Sequence, residues 1–195
     1  MRRRLGQLVV AGSVLVAAGC ATMMTSGSHV ERGLDFTQYR TYDWGPADAL
    51  PTGDPRLDQN PFFQDHMLGA VERQLAARGL ERAASGATPD LRVHYHASIT
   101  QRLDVRAADS RYGSCTGDEC VEVTEFEAGT LVLDLVDVRT NRVIWRGWAQ
   151  DSVEGVLDDR DKLEAQINRA VARIMERLPR TLAAASRSTT RGSTR

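Results

Sequence analysis

The sequence predicts an α+β domain. Its expected core is a small antiparallel-rich sheet, in the order β-α-β-β-β-α, with two amphipathic helices packed on one face. Three observations carry this. The first is the stretch E-A-G-T-L-V-L-D-L-V-D-V-R-T-N-R-V-I-W-R-G-W-A from Glu127 to Ala149. Leu131, Leu133 and Leu135 alternate with Thr130, Val132, Asp134 and Val136; beyond a polar turn, Ile144 and Trp148 share a face with Arg146, while Val143, Trp145, Gly147 and Ala149 take the other. Period-two alternation on both sides of a turn is the pattern of a β-hairpin. The second and third are two helical stripes, Phe63-Met67-Val71-Leu75 and Leu163-Ile167-Ala170-Val171-Ile174-Leu178, whose spacing puts each set on one side of a helix.

The elements follow in chain order. Asp35 to Trp44 (D-F-T-Q-Y-R-T-Y-D-W) is aromatic-rich and predicts a strand, stopped by Gly45-Pro46. Ala47 to Asn60 contains Pro51, Gly53 and Pro55 and predicts a loop. Asn60-Pro61 is a cap followed by a proline at the first helical position, and Arg78-Gly79 closes that helix with a basic last turn and a glycine. This helix could serve as a crossover between the flanking strands. From Leu91, the residues Leu91, Val93, Tyr95, Ala97 and Ile99 alternate with Arg92, His94, His96 and Ser98, which predicts a long half-buried strand. Val121 to Phe126 resumes a strand before the hairpin. Asp161 with Glu164 three residues later resembles a capping box for the last helix, which Pro179 stops.

The ends of the chain set its expected address. Arg2, Arg3 and Arg4 precede an apolar run from Leu5 to Ala18, and Ala17-Ala18-Gly19-Cys20 follows. A positive start, a short apolar run and small residues make a secretory signal peptide, and the run is too short to span a bilayer permanently. The residues before Cys20 resemble the lipobox of bacterial lipoproteins, with Ala17 where leucine is usual. That resemblance implies cleavage before Cys20 and lipidation of its thiol and amino group. Ala21, rather than Asp, follows the cysteine, which by resemblance to Gram-negative sorting implies the periplasmic face of the outer membrane. Each buried acyl methylene contributes ~0.8 kcal/mol, so several chains hold firmly. The expected organisation is a signal peptide over 1–19, a lipidated cysteine and flexible tether over 20–34, one domain over 35–179, and a disordered tail over 180–195. Net charge is -1; without the three leading arginines, 22 basic residues face 26 acidic ones, about -4. A mildly acidic domain of that balance is a poor nucleic-acid binder, which needs a basic face, and no nucleic-acid partner is expected.

Beyond Cys20 there are two cysteines, Cys115 and Cys120, in S-C-T-G-D-E-C. In an oxidising compartment they read as a disulfide closing a short loop, worth roughly 2 kcal/mol in the chain-entropy model. Half of a metal site and a redox pair are the rival readings. Redox pairs usually sit two residues apart at a helix start, and these do not.

The candidates for chemistry are few. His94 and His96 stand two apart on one strand face and could meet one metal ion, but zinc needs a third and fourth ligand. Asp134 and Asp137 are three apart on a strand and point to opposite faces, so they make a poor general acid/base pair; Asp137 is better placed to start the turn. Asp158, Asp159 and Asp161 lack the glycine and closing glutamate of a calcium loop and fit the field of a helix start. No glycine-rich phosphate loop and no catalytic constellation is visible, so neither an enzyme nor a cofactor is expected.

Several stretches resemble a family. They are D-F-T-Q-Y-R-T-Y-D-W, N-P-F-F-Q-D-H with its helix ending in L-A-A-R-G-L, T-P-D-L-R-V-H-Y-H, and the Gly129–Ala149 hairpin with its C-terminal helix. In order and spacing, over about Asp35 to Pro179, they are similar to DUF4136, a family of unknown function of small Gram-negative outer-membrane lipoproteins. The resemblance implies a lipid-anchored periplasmic domain and brings no catalytic residues; the Cys115–Cys120 loop lies outside its pattern. The functional expectation is a non-catalytic interaction or envelope-maintenance module. It would bind the membrane through its lipid and an envelope protein through a surface that includes Trp145 or Trp148. The alternative is a periplasmic metal binder or hydrolase using His94 and His96.

Overall fold

The computed structural model describes residues 24–45, 54–107 and 121–179. Cys20, Cys115 and Cys120 lie outside these residues, as do the signal peptide and the tail over 180–195. The architecture is α+β: a six-stranded sheet with two substantial helices and one short one. In chain order the elements are β1 (Thr25–Val30), β2 (Thr41–Trp44), α1 (Pro55–Asp58), α2 (Pro61–Ala76), β3 (Glu81–Arg82), β4 (Leu91–Ala107), β5 (Val121–Asp137), β6 (Arg142–Ser152) and α3 (Arg160–Met175). Across the sheet the order is β1-β6-β5-β4-β2-β3. The β1–β6, β6–β5 and β5–β4 pairs are antiparallel; β2 pairs parallel to both β4 and β3. The passage from β2 through α1 and α2 to β4 is therefore a crossover, as parallel neighbours require.

Most local signals hold. The Asn60 side chain accepts the Phe63 N–H, with Pro61 in the first turn of α2. Gly79, just past the helix, has φ +83°, a left-handed position that glycine takes without strain. Asp137 starts the β5–β6 turn: its carboxylate accepts the Thr140 N–H at 2.9 Å, and Asn141 closes the turn at φ +53°.

Four readings of the secondary structure need correction. Thr25–Val30, expected within a tether, is the edge strand β1, fully registered on β6 from Thr25↔Gln150 to Val30↔Trp145. Serine and glycine are weak strand formers, but the edge of β6 supplies the backbone partners. The stretch Asp35–Trp44 is not one strand: the Asp35 carboxylate accepts the Thr37 N–H and turns Phe36–Gln38 into a single 3-10 turn before β2 begins. The expected loop before Asn60 holds the short helix α1, whose cap Asp54 accepts the Arg56 N–H. The cap of α3 is Asp159 rather than Asp161; its carboxylate accepts the Lys162 N–H. As the expected three strands before the last helix require, β5 runs unbroken from Val121 to Asp137, paired along its whole length with β4.

The core lies between the sheet and the two long helices. Met67, Val71 and Leu75 of α2 and Val171, Ile174 and Met175 of α3 are fully buried against Leu91, Val93, Leu133 and Leu135. The Trp44 indole N–H donates to Glu72 at 3.0 Å and ties β2 to α2. Tyr39 donates its hydroxyl to Asp137 at 2.8 Å beneath the same layer. An apolar cavity of about 70 Å³ remains among Leu57, Phe63, Ile99, Leu131, Val153 and Ile167. Among the described residues, β4 and β5 have no third strand beside them beyond Gln101 and Glu127, and Leu103 and Val123 are exposed there.

Candidate functional site

Among the described residues, no helix covers the second side of the sheet, here the open face, and its residues follow from the register. One row across the strands is His29 (β1), Arg146 (β6), Asp134 (β5) and His94 (β4); the next is Gly27, Trp148, Val132 and His96. Alternation along β4 keeps His94 and His96 on this face, opposite the core face of Val93, Tyr95 and Ala97.

A β-bulge sets which residues of β6 reach this face. Val136 pairs with Val143 and Leu135 with Trp145, so Ile144 is an extra residue opposite none. Without it, strict alternation would put Trp145 opposite Asp134. With it, Arg146 stands opposite Asp134, and Ile144 and Trp145 are both buried. The expected grouping of Ile144 with Arg146 and Trp148 is thereby corrected. So is the role of Trp145: it is 0% exposed, a core residue and no part of any surface. Trp148 remains, 37% exposed on the open face.

Trp148 is held flat by its neighbour. A Cβ built on Gly27 would lie 2.6–2.8 Å from Nε1, Cε2 and Cζ2 of the indole, so the ring rests on the backbone of β1 where a side chain would stand. His94 is seated in the same way over Gly45. Two rings thus lie over glycines on either side of the open face.

The ion pair at its centre was not read from the sequence. Asp134 is buried, and Arg146 donates Nε to Oδ1 at 2.6 Å and Nη2 to Oδ2 at 2.5 Å. This fork geometry saturates the carboxylate with charge-assisted bonds, and the carboxylate in turn holds the Arg146 guanidinium above its ordinary pKa. The only available signal was the pair of opposite charges on adjacent strands, and the bulge hides its register. The consequence for metal binding is direct: the carboxylate beside His94 has both oxygens committed to Arg146. Among the described residues, no group of three or more His, Cys, Asp or Glu side chains is placed to hold a metal ion. Burial, with Arg92 nearby, pushes the His94 pKa down, which favours a neutral ring. Asp137 is separate, on the core side with Tyr39, so the two aspartates do face opposite ways.

No curated protein matches the sequence. Among solved structures, similarity is found to a PDZ domain protein from Parabacteroides distasonis (14% identity, TM-score 0.47), covering 80% of this chain and 37% of that one. The chain thus spans little more than a third of that protein's length. A PelC dodecamer from Paraburkholderia phytofirmans shows 12% identity and TM-score 0.42, covering 80% of this chain and 100% of that one. A DUF4136 family protein from Bacteroides thetaiotaomicron shows 11% identity and TM-score 0.46, covering 76% of this chain and 94% of that one. The family model of a domain of unknown function, DUF4136, matches residues 27–180, from β1 past the end of α3, and the chain belongs to that family.

Proposed function

We propose that this protein is a lipid-anchored, periplasm-facing envelope lipoprotein whose domain works as a non-catalytic interaction module through the open face of its sheet. The observation that carries this is the exposed indole of Trp148, seated flat on Gly27 beside the Arg146–Asp134 pair. A fixed aromatic ring with polar neighbours is the anatomy of a protein-binding patch, where tryptophan and arginine carry much of the binding free energy. Val143, also exposed, extends the apolar part beside Val136. The anchor rests on Arg2–Arg4, the apolar run and Ala17-Ala18-Gly19-Cys20.

The test is a pull-down from envelope membranes with the lipidated protein, beside Cys20→Ala and Trp148→Ala forms, with metal content assayed on the same samples. A stoichiometric partner lost with Trp148→Ala, no bound metal, and membrane association lost with Cys20→Ala are the expected results. Zinc at one per chain, released by His94→Ala, with no captured partner, would overturn the reading in favour of the histidine pair.

A further inference from the structure

The two edges of the sheet are built differently. At one edge, β3 is two residues long, and both Glu81 and Arg82 are exposed and charged. Arg82 is ion-paired to Asp43 at 3.5 Å and to Glu72 at 3.5 Å, so side chains crowd that edge. Shortness and charge are the usual protections of an edge strand. At the other edge, β1 has six residues, T-S-G-S-H-V, with no lysine, no proline and no formally charged side chain at neutral pH. Its register on β6 is continuous from Thr25 to Val30, so no bulge turns it away. The Glu31 N–H donates inward to the Ile144 carbonyl at 2.9 Å. Alternation from that bond points the backbone groups of Ser26, Ser28 and Val30 outward, away from β6. Among the described residues, nothing protects this strand edge.

A second observation lies on the same strand. The exposed indole of Trp148 covers Gly27, at the middle of β1. We infer that β1 pairs antiparallel with β1 of a second copy of this chain, about a two-fold axis at Gly27, and that the two Trp148 indoles meet across that axis. The sequence of the strand fits this pairing. Opposing residues on one sheet face must share parity, which sets Ser26 against Ser28, Thr25 against His29 and Gly27 against Gly27. Ser26 and Ser28 then exchange the outward backbone hydrogen bonds. The Gly27 pair is the close, non-hydrogen-bonded one, where Cα atoms come within about 4.5 Å. Each indole rests on its own Gly27, so neighbouring strands about 4.8 Å apart bring the rings into contact range. Both helix layers fall on the same side of a continuous twelve-stranded sheet, and no like charges oppose each other along β1. Such an isologous contact closes on itself, as a two-fold interface must. The inference rests on the interaction-module reading and names the partner of that face.

The experiment is sedimentation equilibrium of the full chain, purified in detergent, over a range of concentrations. The expected mass is that of two chains. Ser28→Pro removes one outward N–H and leaves every β1–β6 bond in place, so it should give a single-chain mass with unchanged far-UV circular dichroism. Ser28→Thr, which keeps the N–H, should remain dimeric, and Trp148→Ala should raise the dissociation constant by about tenfold or more. Hydrogen exchange on the unmodified chain is independent of any variant: the Ser26, Ser28 and Val30 amides should be protected at high concentration and released on dilution. A single-chain mass at every concentration overturns the inference, and so does an oligomer that Ser28→Pro leaves intact with those amides unprotected. In either case, capture of another envelope protein through Trp148 would leave the interaction-module reading standing.

Discussion

Trp145 and Trp148 stand three residues apart on one strand, and each indole lies over a glycine. Trp145 covers Gly147 on the helix side and is fully buried; Trp148 covers Gly27 on the open side and is 37% exposed. The first is enclosed by Ile174 of α3 and the sheet, so its ring has nowhere to go. The second is packed on one side only. The same local motif therefore does structural work on one face and leaves a binding element on the other; what separates them is the layer of helices.

The comparison can be broken in four places. The largest effect is expected at Trp145→Ala, which empties a fully buried site and should cost about 3–5 kcal/mol in denaturant unfolding. Trp145→Phe should cost clearly less. It keeps much of the ring, and it removes an indole N–H that is buried without a hydrogen-bond partner among the described residues.

Arg146→Ala comes next. It leaves the buried Asp134 carboxylate without its only fork, at an expected cost of about 1–3 kcal/mol. The double variant Asp134→Ala/Arg146→Ala should be more stable than Arg146→Ala alone in denaturant unfolding, and the full double-mutant cycle measures the coupling between the two side chains.

The glycines then separate the two faces directly. Gly147→Ala sets a methyl 2.6 Å from Ile174 Cγ2 and into the Trp145 ring inside a close-packed core, and should cost about 1–3 kcal/mol. At Gly27→Ala the nearest atoms all belong to the Trp148 ring, which can swing into solvent, so the stability change should stay within about 0.5 kcal/mol. It should instead unseat the indole and red-shift its emission. Equal costs at the two glycines would show that the open face is as constrained as the core.

The smallest effect is a slope. Burial, then the hydrogen bond to Asp137, pushes the Tyr39 pKa up to about 12. Burial acts to raise the Asp137 pKa, but the Thr140 N–H and the Tyr39 hydroxyl together hold it below the ordinary carboxylate value. A raised tyrosine pKa gives stability that is complete below about pH 10 and lost as pH climbs towards about 12; a lowered carboxylate pKa gives stability present above about pH 4 and lost beneath it. Urea midpoints against pH should therefore fall at both ends. Tyr39→Phe should make the alkaline limb shallower without abolishing it, because Tyr42, also raised by burial, remains.

Much of this was legible in the chain because the signals are local. The Asn60-Pro61 cap, the stripes of α2 and α3, the alternation of β4 and the Asp137 turn depend on neighbours a few residues away, and each appears where its spacing put it. The opposed directions of Asp134 and Asp137 follow from strand parity in the same way. The candidate site was only half legible. His94 and His96 share the open face as their spacing requires, but the commitment of Asp134 to Arg146 depends on a register that alternation alone gets wrong by one.

The sequence by itself determined the α+β class, the helices, the long strands and the turn between β5 and β6, because periodicity and capping are written in consecutive residues. Tertiary structure decided two things. It inserted the bulge at Ile144, because Ile144 and Trp145 are adjacent, large and apolar, and only an extra residue buries both while turning Arg146 out to Asp134. It also made a strand of Thr25–Val30, whose central Ser-Gly-Ser is weak in strand propensity, because the edge of β6 supplies backbone partners along its length.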